Sequence, residues 1–201
     1  ARAVGAGDHA SARQATAACL LVALGLALVS LGLAVSWGAW FVRLLGLPPG
    51  SSDLAIRYLT IVVPTLPLLA VTAVGVAALR GAGDMVGGLV AMSVVNLVNA
   101  SASFCLATGQ AGLPALGWEG LAWGTVAGYA SGTVVVSILL ARSSRGLRPT
   151  RNDWNLRRVM LDRIKRVGGP AGIDTIGNAV CHLTFLGIVN RLGNLDAAAH
   201  S

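Results

Sequence analysis

Charged residues are scarce in this 201-residue chain, at 11% of the sequence, whereas soluble domains carry roughly 25%. Apolar residues make up 55%, and the mean hydropathy is +0.72. A core of this size cannot hide so much apolar surface from water, but a bilayer can cover it. The shortage of charge therefore argues against a soluble domain, and we expect an all-α integral membrane protein.

Reactive groups are equally sparse. The three cysteines, Cys19, Cys105 and Cys181, all lie within apolar segments, without a CxxC spacing or a Cys/His cluster. We interpret them as small hydrophobic side chains. There is no nucleophile–base pair, and the glycines at 81 and 83 lack the strand context of a phosphate-binding loop. The sequence therefore predicts no enzyme activity, metal site or cofactor.

Two long apolar runs, residues 58–78 and 86–107, carry no charge and flank a short polar turn. The hydrocarbon core of a bilayer is about 30 Å thick and is crossed by roughly 20 residues of helix. Both runs are long enough, so they predict a transmembrane hairpin whose turn bears Arg80 and Asp84. The whole chain contains five such runs, at about 17–37, 56–79, 86–108, 119–141 and 169–189.

Two of these spans carry further information. Pro64 and Pro67 predict a kink in the second span, because proline removes a backbone donor. Glycine recurs every fourth residue along the fourth span, at 120, 124, 128 and 132. Such a strip lies on one helix face and allows close helix packing in lipid, which we favour over a binding site.

The basic residues are distributed asymmetrically. Twelve of the fifteen lie in residues 1–16, at Arg80 and in residues 142–166, and the opposite side has only Arg43, Arg57 and Arg191. Because Lys and Arg concentrate in cytoplasmic loops, the 81–85 turn and the 142–166 segment are predicted to be cytoplasmic. We favour a plain basic linker for 142–166; a polybasic segment binding lipid or nucleic acid is the alternative. Overall we expect membrane lipid, not nucleic acid, as a partner.

Few polar side chains interrupt the spans, and each has two interpretations. Asp174 is either an interfacial or capping acid or a proton or cation ligand, and His182 is either an interhelical hydrogen-bonding group or a titrating one. Asn96 and Asn99 lie one turn apart and either join helices or line a polar cavity, and Asn178 has the same two interpretations. These five residues are the candidate substrate or ion pathway.

Five stretches, in chain order, resemble the multidrug and toxic compound extrusion (MATE) transporters: 4–13, 57–61 with 79–84, 116–125, 169–173 and 192–200. The resemblance implies a twelve-helix fold with two six-helix lobes. On that map residues 1–141 end the first lobe, 142–166 form the linker between the lobes, and 167–201 hold the first helix of the second lobe. Since the chain opens without an initiator methionine, we expect an internal piece of a longer protein.

The resemblance also implies a function. MATE transporters export organic cations or drugs across the plasma (inner) membrane by alternating access, in exchange for H⁺ or Na⁺. Two positions depart from the family: Asn178 replaces a glutamate of one branch, and Ala100 replaces an aspartate of another. A lipid-linked oligosaccharide flippase of the same superfamily and a non-transporting scaffold fragment are the alternatives. Such flippases tend to line their cavity with basic residues, whereas the span interiors here have none.

Overall fold

The described structure is helical, with no strand among the residues that can be placed. A computed structural model describes residues 2–44, 49–112, 114–143, 147–148, 150–154 and 158–192. The helices are α1 (Arg2–Gly5), α2 (His9–Leu44), α3 (Pro49–Val62), α4 (Leu66–Gly81), α5 (Met85–Thr108), α6 (Glu119–Arg142) and α7 (Arg158–Leu192), with short 3₁₀ turns at Val63–Thr65, Gln110–Gly112 and Arg151–Trp154.

Four segments of the described chain are long and apolar enough to cross a membrane: His9–Leu44, Gly50–Gly81, Met85–Thr108 and Glu119–Arg142. Each contains one of the first four predicted spans. The predicted fifth span, 169–189, falls within α7, which is helical throughout. Asp174, Asn178 and His182 interrupt the apolar run of this span.

The predicted kink in the second span is present as the 3₁₀ turn Val63–Thr65, which separates α3 from α4. Pro67 has no N–H to donate to the carbonyl of Val63, and the N–H of Leu66 donates to that carbonyl instead. The carbonyl of Val62 thereby loses its usual partner, and the Thr65 hydroxyl donates to it at 2.6 Å. A side chain thus satisfies the backbone group that the break exposes.

The predicted hairpin turn lies between the end of α4 at Gly81 and the start of α5 at Met85. Gly83 adopts a left-handed conformation, with φ of 81°, which side chains with a Cβ disfavour. Asp84 caps α5, because its carboxylate accepts a hydrogen bond from the N–H of Gly87 at 2.8 Å. These contacts account for the glycine-rich stretch as a structural turn.

The glycine strip of α6 packs directly against α5, as the spacing predicts. A Cβ added at Gly120 would lie 2.5 Å from the backbone nitrogen of Ala107, and one at Gly124 would lie 2.7 Å from that of Ser103. At Gly128 it would lie 2.9 Å from the carbonyl oxygen of Val95. The two backbones therefore approach so closely that only glycine fits along this contact.

The core of the bundle lies at the end that carries the 81–85 turn, hereafter the basic end. Leu79 and Val136 are completely buried there between α4 and α6. Leu147, from the segment predicted to be a linker, is only 3% exposed and belongs to the same cluster. Leu147 therefore fixes the start of this segment to the bundle through an apolar side chain.

Helix α7 contrasts with the bundle. It begins at Arg158, within the predicted linker, and continues without interruption past the predicted boundary at 166. It contacts α2. Among the α7 side chains whose burial is described, only four are half-buried: Met160, Leu161, Ile164 and Leu183. The rest of those side chains, including Asp174, are exposed.

Candidate functional site

The interior of the α2–α6 bundle is closed by contacts between its own polar groups. The hydroxyls of Thr72 on α4 and Thr133 on α6 lie 3.1 Å apart, and Thr133 also lies within 3.0 Å of the carbonyl of Leu68. No buried side-chain nitrogen or oxygen in the described part of the chain lacks a hydrogen-bond partner. The bundle interior therefore offers no free polar group to a substrate or an ion.

The two candidate asparagines of α5 differ in position. Asn99 is half-buried against α6, beside Gly128, and its side-chain oxygen accepts a hydrogen bond from the Ser103 hydroxyl at 3.0 Å. Asn96 is exposed on the outside of the bundle. The contacts of Asn99 are those of a helix-packing residue, whereas Asn96 remains available to line a polar passage.

The three candidates of α7 form a stripe along one side of that helix. Asp174, Asn178 and His182 follow one another at intervals of four residues, so that each lies about one turn beyond the last. All three side chains are exposed, and none makes a hydrogen bond or an ion pair with another described residue. The stripe presents a carboxylate, an amide and an imidazole outside the bundle.

The five candidates therefore do not converge on one site within the described chain. Asn99 is held at the α5–α6 contact, Asn96 faces outward from α5, and the α7 stripe faces away from packing contacts. No group of three or more His, Cys, Asp or Glu side chains that could bind a metal occurs among the described residues.

Two cavities in the described part of the chain lie at opposite ends of the bundle, away from the candidate residues. A mainly apolar cavity of about 320 Å³ lies at the basic end between α1, α2 and α4. At the opposite end a groove of about 440 Å³ lies beside Trp37, Trp40 and Phe41. None of the five candidate residues lines either one. The aromatic side chains are placed where indole rings favour the membrane interface.

A charged contact at the basic end has no counterpart in the sequence analysis. The Asp153 carboxylate accepts hydrogen bonds from the hydroxyl and the N–H of Thr150, at 2.5 and 2.8 Å, and from Nε of Arg13 at 3.3 Å. These donors hold the pKa of Asp153 below its ordinary value, the Thr150 hydroxyl most strongly. The Thr-x-x-Asp spacing is the local signal that indicates this turn.

Together these contacts fix residues 147–154 to α2 and to the core. Asp153 is only 5% exposed, although it lies in a segment rich in Arg. We refer to Arg13, Leu147, Thr150 and Asp153 as the linker clamp. It positions the first part of the linker against the basic end of the bundle.

The comparisons with known proteins agree with this fold. The MatE family model matches residues 1–105, just over half of the chain. The chain is 25% identical over 162 residues to a probable multidrug resistance protein, YoeA, of Bacillus subtilis. This alignment covers 79% of the chain and 35% of YoeA. It is 30% identical over 142 residues to a probable multidrug resistance protein, NorM, of Caulobacter vibrioides, covering 71% of the chain and 30% of the relative.

The chain thus spans about a third of the length of these curated relatives. A solved structure described as the inward-facing conformation of a multidrug resistance MATE family transporter of the MOP superfamily superposes with a TM-score of 0.88. That match covers 99% of this chain and 44% of the other, at 21% sequence identity, and establishes the fold. Given the family model, the fold and the four apolar helices, the chain is part of an integral, multi-pass membrane protein and belongs to the MatE family, a family of transporters rather than enzymes.

Proposed function

We propose that the transporter containing this chain is a secondary antiporter that exports organic cations or drugs in exchange for H⁺ or Na⁺ by alternating access. Residues 1–141 form the end of its first lobe, and α7 is the first helix of its second. The observation that carries this proposal is the division between a closed bundle and the exposed polar stripe Asp174, Asn178 and His182. The names of the two curated relatives, both probable multidrug resistance proteins, support the substrate class.

A closed bundle suits a transporter that alternates between two states by moving its lobes as units. The backbones of α5 and α6 touch at the glycine strip, and the Thr72–Thr133 pair joins α4 to α6. Such a body moves without exchanging its internal contacts. Substrate and ion then bind along its outer surface, in the space between the lobes.

Asp174 is the proposed ligand for the coupling cation. A carboxylate within a membrane span is costly unless it binds a proton or a cation, and its place in the predicted span 169–189 makes Asp174 a functional candidate. Asn178 and His182 lie on the same side of α7 and supply further oxygen and nitrogen atoms. Asn96 is the corresponding candidate on the first lobe, because it is exposed on α5.

The charge pattern argues against the oligosaccharide flippase. Residues 14–42, 58–79 and 81–141 contain no Lys or Arg. These stretches of the spans therefore offer no basic side chain to a pyrophosphate group. An organic cation meets no repulsion along the same surface. A non-transporting scaffold, the remaining alternative, is tested by the transport measurement itself.

Ethidium efflux tests the proposal. The complete transporter that contains this chain is placed in vesicles, and efflux is followed with an imposed proton gradient and, separately, an imposed sodium gradient. We expect efflux under one of the two gradients and none without a gradient, because antiport needs a counter-ion. Vesicles that carry an unrelated membrane protein provide the baseline.

Each outcome has a distinct meaning. Efflux under a single gradient supports the antiporter and identifies its ion. No efflux under either gradient, from correctly folded protein, would contradict export of organic cations and favour the flippase or scaffold alternatives. Equal efflux with and without gradients would contradict coupling to an ion.

A further inference from the structure

An open groove runs along the basic end of the bundle, on the side of α4 where α2 and α6 flank it. It has a volume of about 260 Å³, and its apolar wall includes Leu20 and Leu24 of α2 and Val71 of α4. Arg148 and Trp154 of the docked linker segment also line it. The groove is therefore amphipathic, with an apolar wall from the spans and a cation from the linker.

Arg148 is exposed and makes no ion pair with any described residue. The acidic side chain of the same segment, Asp153, instead accepts hydrogen bonds from two other residues of the linker clamp, Thr150 and Arg13. Glu119 is also engaged, 3.6 Å from Arg57 at the opposite end of α6. Among the described residues, therefore, none compensates the positive charge that the Arg148 guanidinium brings to the groove.

The linker clamp holds this charge in a defined place. Leu147, the neighbour of Arg148, is 3% exposed in the core, and Asp153, the neighbour of Trp154, is 5% exposed. Both groove residues are thus anchored by the residue beside them. Trp154 remains 43% exposed, as expected of an indole at the level of lipid headgroups. This is a built surface, not merely a cluster of basic residues.

The chemistry of the groove selects its occupant. Its apolar wall belongs to helices that cross the membrane, so an acyl chain fits there without loss of polar contacts. Its basic rim suits a phosphate, which a guanidinium binds through paired hydrogen bonds. A further transmembrane helix that is apolar along this contact would cover the wall but would leave the charge of Arg148 unmatched.

We propose that this groove binds an anionic phospholipid, with one acyl chain against Leu20, Leu24 and Val71 and the headgroup phosphate on Arg148. Trp154 lies beside the headgroup. The inference depends on the membrane location of the chain and is independent of the transported substrate. It therefore stands or falls separately from the antiporter proposal.

Native mass spectrometry of the intact transporter, equilibrated with phosphatidylglycerol or with phosphatidylcholine, tests the headgroup contact. Arg148→Gln is expected to lower the retention of phosphatidylglycerol by more than about tenfold, because the variant loses the charge-assisted hydrogen bonds of the guanidinium to the phosphate. Arg142→Gln is the matched control, because Arg142 is an exposed arginine in the last turn of α6 that does not line the groove. Its retention of phosphatidylglycerol should fall by at most about fivefold, the effect of one basic residue lost at an anionic surface without a specific contact.

The acyl contact is tested separately. Ser137→Phe fills the groove from α6 without changing any charge, and it should lower retention of phosphatidylglycerol while leaving Arg148 intact. A photoreactive phosphatidylglycerol analogue should label peptides that contain residues 20–24 and 137–141.

Three results would overturn the proposal. Equal losses in Arg148→Gln and Arg142→Gln would show a diffuse basic surface rather than a site. Unchanged retention in Arg148→Gln would remove the headgroup contact. Photolabelling that avoids both groove peptides would show that another part of the transporter covers the groove.

Discussion

The α2–α6 bundle and α7 are built from the same kinds of residue in different proportions, and they differ in how their polar groups are used. In the bundle Thr72, Thr133, Asn99 and Ser103 bond to one another or to backbone carbonyls. Asp174, Asn178 and His182 on α7 have no such partners among the described residues. Polar groups in lipid serve either helix packing or ligand binding. The contacts described above assign the first use to the bundle interior, and we propose the second for the exposed stripe of α7.

The largest expected effect comes from opening the α5–α6 contact. Gly124→Val places its side chain against the backbone of Ser103, only 2.7 Å from its nitrogen, so the helices must separate. We expect the free energy of unfolding to fall by about 3 kcal/mol, at the upper end of typical overpacking costs. Unfolding in mixed detergent micelles measures this change.

Gly25→Val is the matched control, because Gly25 lies within α2 and an added Cβ there meets nothing within 4 Å. The free energy of unfolding should change by less than about 0.5 kcal/mol for such a surface position. Equal losses at both glycines would show that an added side chain destabilises these helices wherever it is placed, and would contradict a specific role for close packing at Gly124.

A smaller effect is expected from the hydroxyl pair that joins α4 and α6. Thr72→Val removes one hydroxyl of the pair and keeps the shape of the side chain, and it should lower the free energy of unfolding by about 1 kcal/mol. Thr60→Val is the control, since the exposed Thr60 hydroxyl bonds only to the Ile56 carbonyl of its own helix. A loss at Thr60 as large as that at Thr72 would contradict a role for the interhelical bond.

Releasing the linker clamp should have a local effect. In Asp153→Asn the ion pair with Arg13 is lost, so tryptic cleavage after Arg151 should accelerate by roughly threefold, in keeping with a single partly exposed pair. Asp162→Asn on exposed α7 changes the net charge equally and should leave this rate unaltered. An equal acceleration in both variants would point to charge rather than to the clamp.

The pH dependence of the clamp follows from the sign of its pKa shift. Because the pKa of Asp153 is lowered on folding, its contribution is complete above the ordinary value of 3.8 and is lost only as the pH falls through the lower, folded value. Cleavage after Arg151, normalised to unfolded protein, should therefore be the same at pH 8 and pH 6. A rise at pH 6 would contradict an ionised, clamped carboxylate.

The smallest effect on stability is expected on α7. Asp174→Asn should change the free energy of unfolding by less than about 0.5 kcal/mol, because the side chain is exposed and unpaired among the described residues. In the efflux measurement, however, the dependence on the ion gradient should be lost. A large loss of stability would contradict the expected difference between α7 and the bundle. Unchanged dependence of efflux on the ion gradient would exclude Asp174 as the ion ligand.

Features determined by neighbouring residues could be predicted from the sequence. The turn at 81–85 depends on Gly83 and Asp84, and the break in the second span depends on Pro64 and Pro67. The glycine strip could also be predicted, because a period of four residues defines a helix face without knowledge of the partner helix.

Contacts between distant residues could not be predicted in this way. Arg13 and Asp153 are 140 positions apart, and Thr72 and Thr133 are 61 apart, so their pairing depends on how the helices are arranged. Asn96 and Asn99 illustrate a smaller difficulty. Residues three positions apart differ by about 60° in direction around the helix axis, which is enough to place one amide at the edge of a contact and the other outside it. Their role in transport, like that of the α7 stripe, stays a prediction.

The linker clamp limits how far the start of α7 can move away from the α2–α6 bundle. Since the clamp holds the chain as far as Asp153, the connection to α7 starts at Trp154 rather than at Arg142. From Trp154 to Arg158 there are four residue steps, which extend to roughly 14 Å at most. The first residue of α7 is therefore confined to a sphere of about that radius around Trp154, whatever motion the rest of the transporter makes.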